Sequence, residues 1–191
     1  MEKQYQQTGN LQVIIGPMFS GKSTYLIKQY NNYKNNGFKC CVVNYIDDNR
    51  YDESMLSTHD KMMIPCIKLR ELNPILNHDC IDNHDIFFID EGQFFHDLYD
   101  VVFKLTDIYN KIVYVSGLTG DFKREKFGKI LDLIPICDNV IKLCAKCNQC
   151  QKDAHFSYRL SNEDNQKIIG FSNYIPLCRL CYNILNKNNL N

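Results

Sequence analysis

Two short motifs, about seventy residues apart, contain the side chains most suited to chemistry. Residues 16–23 read Gly-Pro-Met-Phe-Ser-Gly-Lys-Ser and fit the phosphate-binding pattern G-x-x-x-x-G-K-[ST]. Residues 87–91 read Phe-Phe-Ile-Asp-Glu, an apolar run that ends in two carboxylates. The first motif is suited to the phosphates of a nucleoside triphosphate, and the second to its Mg²⁺. The pair predicts phosphoryl transfer.

The surroundings of the first motif support this interpretation. An apolar stretch at residues 11–15 predicts a strand before it, and apolar residues at helical spacing predict a helix at Lys22–Asn35 after it. In that order, backbone N–H groups and the helix dipole face the phosphates. We expect Lys22 to reach the β- and γ-phosphates and Ser23 to bind Mg²⁺. The alternative is an ordinary glycine turn. The predicted phosphate-binding residues are Gly16, Pro17, Met18, Phe19, Ser20, Gly21, Lys22, Ser23 and Thr24.

The second motif predicts a central strand with a functional end. Residues 86–89 are uniformly apolar, as expected of a parallel strand buried on both faces. Asp90 follows at the carboxyl end, where such sheets bind their ligands, and is predicted to position Mg²⁺. Glu91 offers a second carboxylate that can accept the proton of an attacking hydroxyl. The alternative is an acidic pair that only complements the dipole of a following helix.

Composition limits the other functions. The chain has 191 residues, with 22 Lys plus Arg against 22 Asp plus Glu, so it lacks the net basic charge typical of nucleic-acid binders. No apolar run reaches the length of a membrane span, and the N-terminus has no secretory signal pattern. We therefore expect a cytoplasmic protein without a nucleic-acid or membrane partner. In that compartment, ten cysteines indicate metal binding rather than disulfides.

Two Cys-x-x-Cys pairs predict a structural zinc site. Cys147 and Cys150 form one pair, Cys178 and Cys181 the other, and 27 residues separate them. Four thiolates suit tetrahedral Zn²⁺. Cys144 continues the same spacing and is a competing ligand, and unpaired reduced cysteines are a further alternative. The remaining cysteines are expected to be inert core thiols: Cys40, Cys41, Cys66, Cys80 and Cys137.

The remaining pattern predicts an α/β fold with a parallel sheet covered by helices on both faces. Further strands are predicted at residues 38–44, 86–90 and 112–116, and a helix at residues 95–109. Residues 47–65 show no clean period and are predicted as a loop, a hairpin or both. The predicted organisation is a flexible tail at residues 1–10, a nucleotide-binding domain at 11–142, a zinc-binding domain at 143–185 and a flexible tail at 186–191.

Four ordered motifs resemble the type II thymidine kinases, the cytosolic and poxviral-type enzymes. They are Gly16-Pro17-Met18-Phe19-Ser20-Gly21-Lys22-Ser23-Thr24, Asp90-Glu91-Gly92-Gln93-Phe94-Phe95, Lys126-Phe127-Gly128 and Cys178-Arg179-Leu180-Cys181-Tyr182. The resemblance implies a RecA-like P-loop core and a zinc-anchored loop, the lasso, that closes over the nucleoside. It implies transfer of the ATP γ-phosphate to the 5′-hydroxyl of thymidine, and secondarily of deoxyuridine, in nucleotide salvage. It also implies Mg²⁺, structural Zn²⁺, a homotetramer and feedback inhibition by dTTP.

The resemblance further assigns individual residues. Glu91 would be the base, Arg50 would lie near the transferring phosphate, and Asp48 would accompany it. Ser23 would bind Mg²⁺ directly, and Asp90 through water. The implied nucleoside-binding residues are Met18, Asp48, Arg50, Glu91, Phe94, Leu118, Phe122, Phe127, Ser157, Ile168, Ile169, Gly170 and Tyr174.

The chain departs from the family pattern at two places. Residues 168–174 contain one glycine where the family commonly has two, and residues 117–122 vary from its usual alanine–leucine–aspartate–glycine form. Two other functions are weighed against the kinase: a zinc-ribbon nucleic-acid binder with an ATPase core, and a catalytically silent nucleotide-binding protein. Balanced charge argues against the first, and the presence of Lys22, Ser23, Asp90 and Glu91 argues against the second.

Overall fold

The computed structural model describes residues 8–48, 55–57, 62–161, 163–166 and 173–188. The strands in these ranges are β1 (Asn10–Ile15), β2 (Cys40–Tyr45), β3 (Met55–Ser57), β4 (Met63–Pro65), β5 (Ile67–Leu69), β6 (Ile86–Ile89), β7 (Ile112–Gly117), β8 (Asn139–Lys142), β9 (Ala145–Lys146), β10 (Asp153–Ala154), β11 (Phe156–Arg159) and β12 (Tyr174–Leu177). The α-helices are α1 (Lys22–Asn35), α2 (His78–Asn83), α3 (Leu98–Phe103) and α4 (Arg179–Asn188). Short 3₁₀ turns occur at Asn73–Leu76, Gly92–Phe94 and Ile130–Ile136.

The core is a six-stranded sheet in the order β5-β2-β6-β7-β1-β8, and every pairing in it is parallel. Each residue of β6 is fully buried, because helices cover both faces of the sheet. Phe88 faces the α1 side and packs with Leu26, whereas Phe87 faces the α3 side and packs with Leu98. This arrangement confirms the predicted α/β fold with a helix-covered parallel sheet.

Most predicted elements occur within one or two residues of their predicted bounds, but the helix at residues 95–109 was wrong at its start. A 3₁₀ turn occupies Gly92–Phe94, and α3 begins only at Leu98. The contacts of Asp97 account for the later start of α3. One oxygen of its carboxylate accepts hydrogen bonds from the backbone N–H groups of Leu72 and Asn73, each at 2.8 Å. A tertiary contact therefore sets this boundary.

The end of the same helix also differs from the regular pattern. Residues Lys104–Ile108 continue it as one turn of π-helix. The Thr106 hydroxyl donates to the Val102 carbonyl oxygen at 3.0 Å, a local bond that competes with regular helix pairing.

Several short elements were not predicted. The edge strands β5 and β8 contain three and four residues, and α2 contains six, which is too short for a clear period. Strands β3 and β4 pair antiparallel within residues 47–65, where a hairpin was one of the predicted alternatives. None of the helices in the described ranges is long and apolar enough to cross a membrane.

The C-terminal part has its own small core. Strands β9 and β10 pair antiparallel, as do β11 and β12, and α4 follows β12. Tyr182 of α4 is buried in a cluster with Tyr158 and Leu177. The connection between β11 and β12, residues 160–173, is the lasso. Helix α4 extends to Asn188, past the start of the predicted C-terminal tail, whereas residues 1–7 and 189–191 lie outside the described ranges.

Candidate active site

The first motif forms a loop between β1 and α1. Gly21 has a φ of 83°, a left-handed conformation that glycine adopts without steric cost, and α1 begins at the next residue. Lys22 is buried and donates to the Pro17 carbonyl oxygen at 2.8 Å, which draws its ammonium group across the loop. The Ser20 hydroxyl oxygen is buried and has no hydrogen-bond partner among the described residues. The loop therefore keeps a polar atom that suits a phosphate oxygen.

The two motifs meet at Ser23 and Asp90. The Ser23 hydroxyl donates to Asp90 Oδ2 at 2.7 Å, across 67 residues of sequence. The other oxygen, Oδ1, accepts from the Ser116 hydroxyl and from the Glu91 backbone N–H at 3.0 Å. The Asp90 side chain is only 1% exposed. Hydroxyl and carboxylate oxygens are suitable Mg²⁺ ligands, so these two side chains fit a magnesium site.

Glu91 follows Asp90 directly, but its carboxylate contacts Gln93. The φ of Glu91 is 55°, a left-handed conformation that is uncommon for a residue with a side chain and that occurs often at functional sites. The Gln93 side-chain amide donates through Nε2 to Glu91 Oε2 at 2.6 Å, and its Oε1 accepts from the Leu118 backbone N–H at 2.9 Å. Gln93 is buried. Through these two hydrogen bonds it connects the candidate base, Glu91, to Leu118, the residue that follows β7.

Asp48 also reaches the carboxyl edge of the sheet. Its carboxylate accepts from the Asn44 amide at 2.8 Å, and the Lys68 ammonium donates to its backbone carbonyl. Asn44 lies in β2 next to Val43, whose carbonyl accepts from the Asp90 backbone N–H at 2.9 Å. Asp48 and Asp90 thus follow neighbouring strands. Arg50, its predicted companion, lies outside the described residues.

The predicted nucleoside residues are partly brought together. The Phe94 and Phe127 rings are in edge contact, with centroids 5.4 Å apart. Gly128 permits this approach, because its φ is 60° and a Cβ there would lie 2.0 Å from the Gln93 carbonyl oxygen. The Met18 backbone N–H donates to the Ser157 hydroxyl at 2.9 Å, which connects the phosphate loop to β11. Ile168, Ile169 and Gly170 lie outside the described residues.

Arg159, at the end of β11, organises the start of the lasso. Its guanidinium donates to the carbonyl oxygens of Glu163, Asn165 and Gln166 at 2.6–3.0 Å. It also donates to the Tyr174 hydroxyl at 2.6 Å, at the point where the chain returns in β12. The side chain is 4% exposed. One planar donor therefore holds both ends of the lasso.

The Arg159 guanidinium also packs against the Phe122 ring. The Arg159 Cζ atom lies 3.6 Å from the Phe122 ring centroid, a close cation–π contact. The Tyr182 hydroxyl donates to the Phe122 carbonyl, and the Gln166 amide donates to Asp121 Oδ2 at 2.8 Å. The loop that carries Phe122 is thus attached to both the lasso and α4.

The four predicted zinc ligands lie in one group. The sulfur atoms of Cys147, Cys150, Cys178 and Cys181 are all within 4.8 Å of one another, and those of Cys150 and Cys178 are 3.7 Å apart. Cys144 is exposed and does not belong to this group. The spacing fits a tetrahedron of ~2.3 Å zinc–sulfur bonds, whose ligands lie about 3.8 Å apart.

A cavity of about 400 Å³ adjoins the start of the phosphate loop. Ser157 lines it beside Gly16 and Pro17, whereas the aromatic residues of the predicted nucleoside pocket do not. Four of its lining side chains are cationic and one is a carboxylate: Arg124, Lys126, Lys142, Arg179 and Asp121. The cavity is therefore suited to an anionic group rather than to a flat pyrimidine ring.

Comparison with known proteins places this site in a family. The family model described as "Thymidine kinase" matches residues 9–182. The chain belongs to the thymidine kinase family. Thymidine kinase of rice (Oryza sativa subsp. japonica) is 41% identical over 187 residues, which cover 95% of this chain and 69% of the plant protein. Thymidine kinases of variola virus (isolate Human/India/Ind3/1967) and monkeypox virus are 43% and 42% identical over 175 residues, covering 91% of this chain and 97% of each viral protein.

Within this thymidine kinase fold, three buried side chains contact the site although the sequence did not single them out. Gln93 lies inside the motif that runs from Asp90 to Phe95, so its place in that motif could have identified it. Ser116 ends a predicted strand next to β6, so its approach to Asp90 follows from strand order alone. Arg159 gave no signal, because an isolated arginine near an aromatic residue is usually on the surface.

Proposed function

We propose that this chain transfers the γ-phosphate of ATP to the 5′-hydroxyl of thymidine, and less efficiently of deoxyuridine, giving dTMP and ADP. The Ser23–Asp90 contact carries the proposal, because it joins the phosphate loop to the acidic strand end in a chain of the thymidine kinase family. Phosphoryl transfer depends on positioning and charge neutralisation, and this contact positions the groups that do both.

Lys22 and Ser23 act on the phosphates. The Lys22 ammonium turns from the Pro17 carbonyl to the β- and γ-phosphate oxygens, while Ser20 and the loop amides donate to the remaining oxygens. Ser23 and Asp90 would hold Mg²⁺, Ser23 directly and Asp90 through water. Mg²⁺ held by these residues would neutralise the negative charge of the phosphates during transfer.

Glu91 acts on the nucleoside. Its carboxylate, oriented by Gln93, accepts the proton of the 5′-hydroxyl as that oxygen attacks the γ-phosphorus. The family resemblance assigns to Arg50 a second positive charge near the transferring phosphate, with Asp48 as its companion. In this proposal the carboxylate of Asp90 keeps its hydroxyl partners and takes no proton.

The thymine ring binds among apolar and aromatic side chains. Phe94 and Phe127, whose rings are in contact, would form one wall. The family resemblance assigns Met18, Leu118 and Phe122 to the same apolar pocket. By the same resemblance, Ser157 and Tyr174 would make polar contacts to the nucleoside, and Ile168, Ile169 and Gly170 are assigned to the segment that contacts the base. An apolar wall favours the 5-methyl group by only about 1–3 kcal/mol, so deoxyuridine remains a substrate.

The four grouped cysteines would hold structural Zn²⁺, with all positions closed by protein ligands. In this proposal residues 11–142 form the nucleotide-binding domain and residues 143–185 the zinc-binding domain that carries the lasso. Feedback inhibition by dTTP, a homotetramer and a cytoplasmic location are proposed from the family resemblance. The equal counts of acidic and basic residues support the absence of a nucleic-acid partner.

The test is ADP production from Mg·ATP with thymidine, deoxyuridine, deoxycytidine and deoxyadenosine. We expect turnover to be fastest with thymidine and slower with deoxyuridine, and to be negligible with the other two. Equal turnover with all four nucleosides would overturn the proposed specificity. ATP binding without turnover would favour the catalytically silent nucleotide-binding protein. The first variant to test would then restore the second glycine that the family commonly has in residues 168–174.

A further inference from the structure

A pair of thiols lies at the opposite end of the sheet from the candidate active site. Cys41 is the second residue of β2 and pairs in register with Phe87, near the start of both strands. Cys80 lies in α2, which precedes β6. Asp90 and Glu91 follow the carboxyl end of β6, so neither thiol touches the groups assigned to phosphoryl transfer.

The two thiols contact each other and share a basic environment. The Cys80 and Cys41 sulfur atoms are 4.0 Å apart, within the range of a thiol hydrogen bond. His84 Nδ1 lies 3.7 Å from Cys80 Sγ and 2.8 Å from the Cys80 carbonyl oxygen. The Lys111 ammonium donates to the His84 carbonyl at 2.8 Å. Cys41 is 3% exposed, whereas Cys80 is half-buried.

This environment divides the roles of the two sulfur atoms. The contact with Cys41, followed by the charges of His84 and Lys111, lowers the pKa of Cys80 despite its partial burial. The contact with Cys80, together with burial, raises the pKa of Cys41. Cys80 is therefore the nucleophilic thiolate, and Cys41 is the protonated thiol beside it. A partly exposed thiolate next to a second cysteine is the usual arrangement of a redox-sensitive site.

We propose that Cys80 and Cys41 form a redox-sensitive pair that a hydroperoxide converts to a disulfide. The Cys80 thiolate attacks the terminal oxygen of the peroxide, and the O–O bond breaks. Cys80 becomes a sulfenic acid, and the other oxygen leaves as hydroxide from hydrogen peroxide or as an alkoxide from an organic hydroperoxide. The Cys41 sulfur then attacks Cys80 Sγ. The S–O bond breaks, and the oxygen leaves as water with the Cys41 proton. The peroxide is reduced, the two thiols are oxidised, and an added thiol reverses the change.

The structural demand is small. The sulfur atoms must approach from 4.0 Å to about 2.05 Å. Helix α2 has six residues and contacts the core mainly through Ile81, so it can move toward β2 more readily than β2, which pairs on both sides, can move toward it. The product would tie α2 to the sheet and close the chain from residue 41 to residue 80, the segment that includes Asp48 and Arg50.

The experiment uses the full chain with its metal bound, treated with about one equivalent of hydrogen peroxide. Remaining thiols are alkylated, and the unreduced digest is analysed by mass spectrometry. We expect a Cys41–Cys80 cross-linked peptide, lost in Cys80→Ser. In Cys41→Ser, dimedone should trap Cys80 as the sulfenic acid. Cys137→Ser is the matched control, because this half-buried thiol contacts the Ile134 carbonyl, and it should keep the cross-link.

Three further readouts keep the test decisive. The zinc content must stay constant, which excludes oxidation of the four grouped cysteines. Tm of the cross-linked protein should rise by several degrees, because the bond shortens the unfolded chain. Alkylation of Cys80 in Cys41→Ala should be compared with the wild type, where we expect the faster reaction at pH 7. Three results would overturn the proposal. They are absence of the cross-link, a disulfide between Cys80 and Cys40, and a second tightly bound zinc that is lost in Cys80→Ser.

Discussion

Asp90 and Glu91 are adjacent in the sequence, yet the structure gives their carboxylates different surroundings. Asp90 is buried and accepts hydrogen bonds from Ser23 and Ser116. Glu91 adopts a left-handed backbone conformation and accepts from Gln93 instead. The change in backbone direction separates the two side chains. It therefore separates the carboxylate proposed to position Mg²⁺ from the one proposed to act as the base.

The Glu91→Gln substitution tests the base at this scale. The amide keeps the size of the side chain but cannot accept a proton, so we expect kcat to fall about 10²–10⁴-fold while ATP binding is unchanged. Single-turnover kinetics and calorimetric titration with ATP measure the two quantities. Glu71→Gln, at an exposed position, is the control. A kcat within threefold of the wild type would refute the assignment.

Gln93→Met tests whether Gln93 positions the base. Methionine retains the approximate volume but removes the bonds to Glu91 and to the Leu118 backbone N–H. We expect kcat to fall about tenfold or more with KM for ATP nearly unchanged, because the carboxylate loses its orientation but not its chemistry. Gln29→Met on α1 is the control. Equal losses of kcat and thermal stability in both variants would indicate a structural role alone.

At the scale of elements, one side chain links a strand to the lasso. Arg159 ends β11 and contacts three lasso carbonyls, the Tyr174 hydroxyl and the Phe122 ring. Burying an unpaired guanidinium would be costly, so these contacts must form together. The lasso is therefore held at its base.

Arg159→Lys tests this link. Lysine keeps the charge but has no planar donor fork, so it cannot satisfy the lasso carbonyls and the Tyr174 hydroxyl together. We expect KM for thymidine to rise at least tenfold while KM for ATP changes less than twofold. Steady-state kinetics with each substrate varied in turn measure the difference. Arg70→Lys at an exposed ion pair is the control. A parallel rise of both KM values would contradict the lasso role.

At the scale of the whole molecule, the phosphate site and the grouped cysteines belong to different parts of one chain. The phosphate loop follows β1 of the six-stranded sheet, whereas the cysteines surround the core of the C-terminal strands. The Met18–Ser157 bond is one connection between them. This separation predicts that metal loss affects the two substrates unequally.

Cys147→Ser tests that consequence. Because metal ligation is coupled to local folding, loss of one ligand should release zinc, lower Tm and weaken thymidine binding at least tenfold. ATP binding should change little. Cys144→Ser is the matched control, since Cys144 lies outside the group of four, and it should keep one zinc per chain. Metal analysis and titration with each ligand decide the matter. Retained zinc in Cys147→Ser would indicate that Cys144 replaces it.

The class of chemistry and the order of the central elements along the chain follow from the amino-acid sequence. The phosphate loop, α1 and the buried β6 depend on local backbone preferences and on apolar periodicity, both of which can be read from consecutive residues. The four cysteines could be assigned to one metal site because each Cys-x-x-Cys unit is also visible in consecutive residues. Short edge strands and α2 could not be predicted, because they contain too few residues to establish a period.

Which side chains contact each other depends on the folded structure. Ser23 and Asp90, Gln93 and Leu118, and Cys41 and Cys80 are 67, 25 and 39 residues apart, and the sheet order brings each pair into contact. The start of α3 depends in the same way on the bonds from Asp97 to residues 72 and 73. The physical reason is that packing and hydrogen bonding act across space, whereas periodicity acts along the chain.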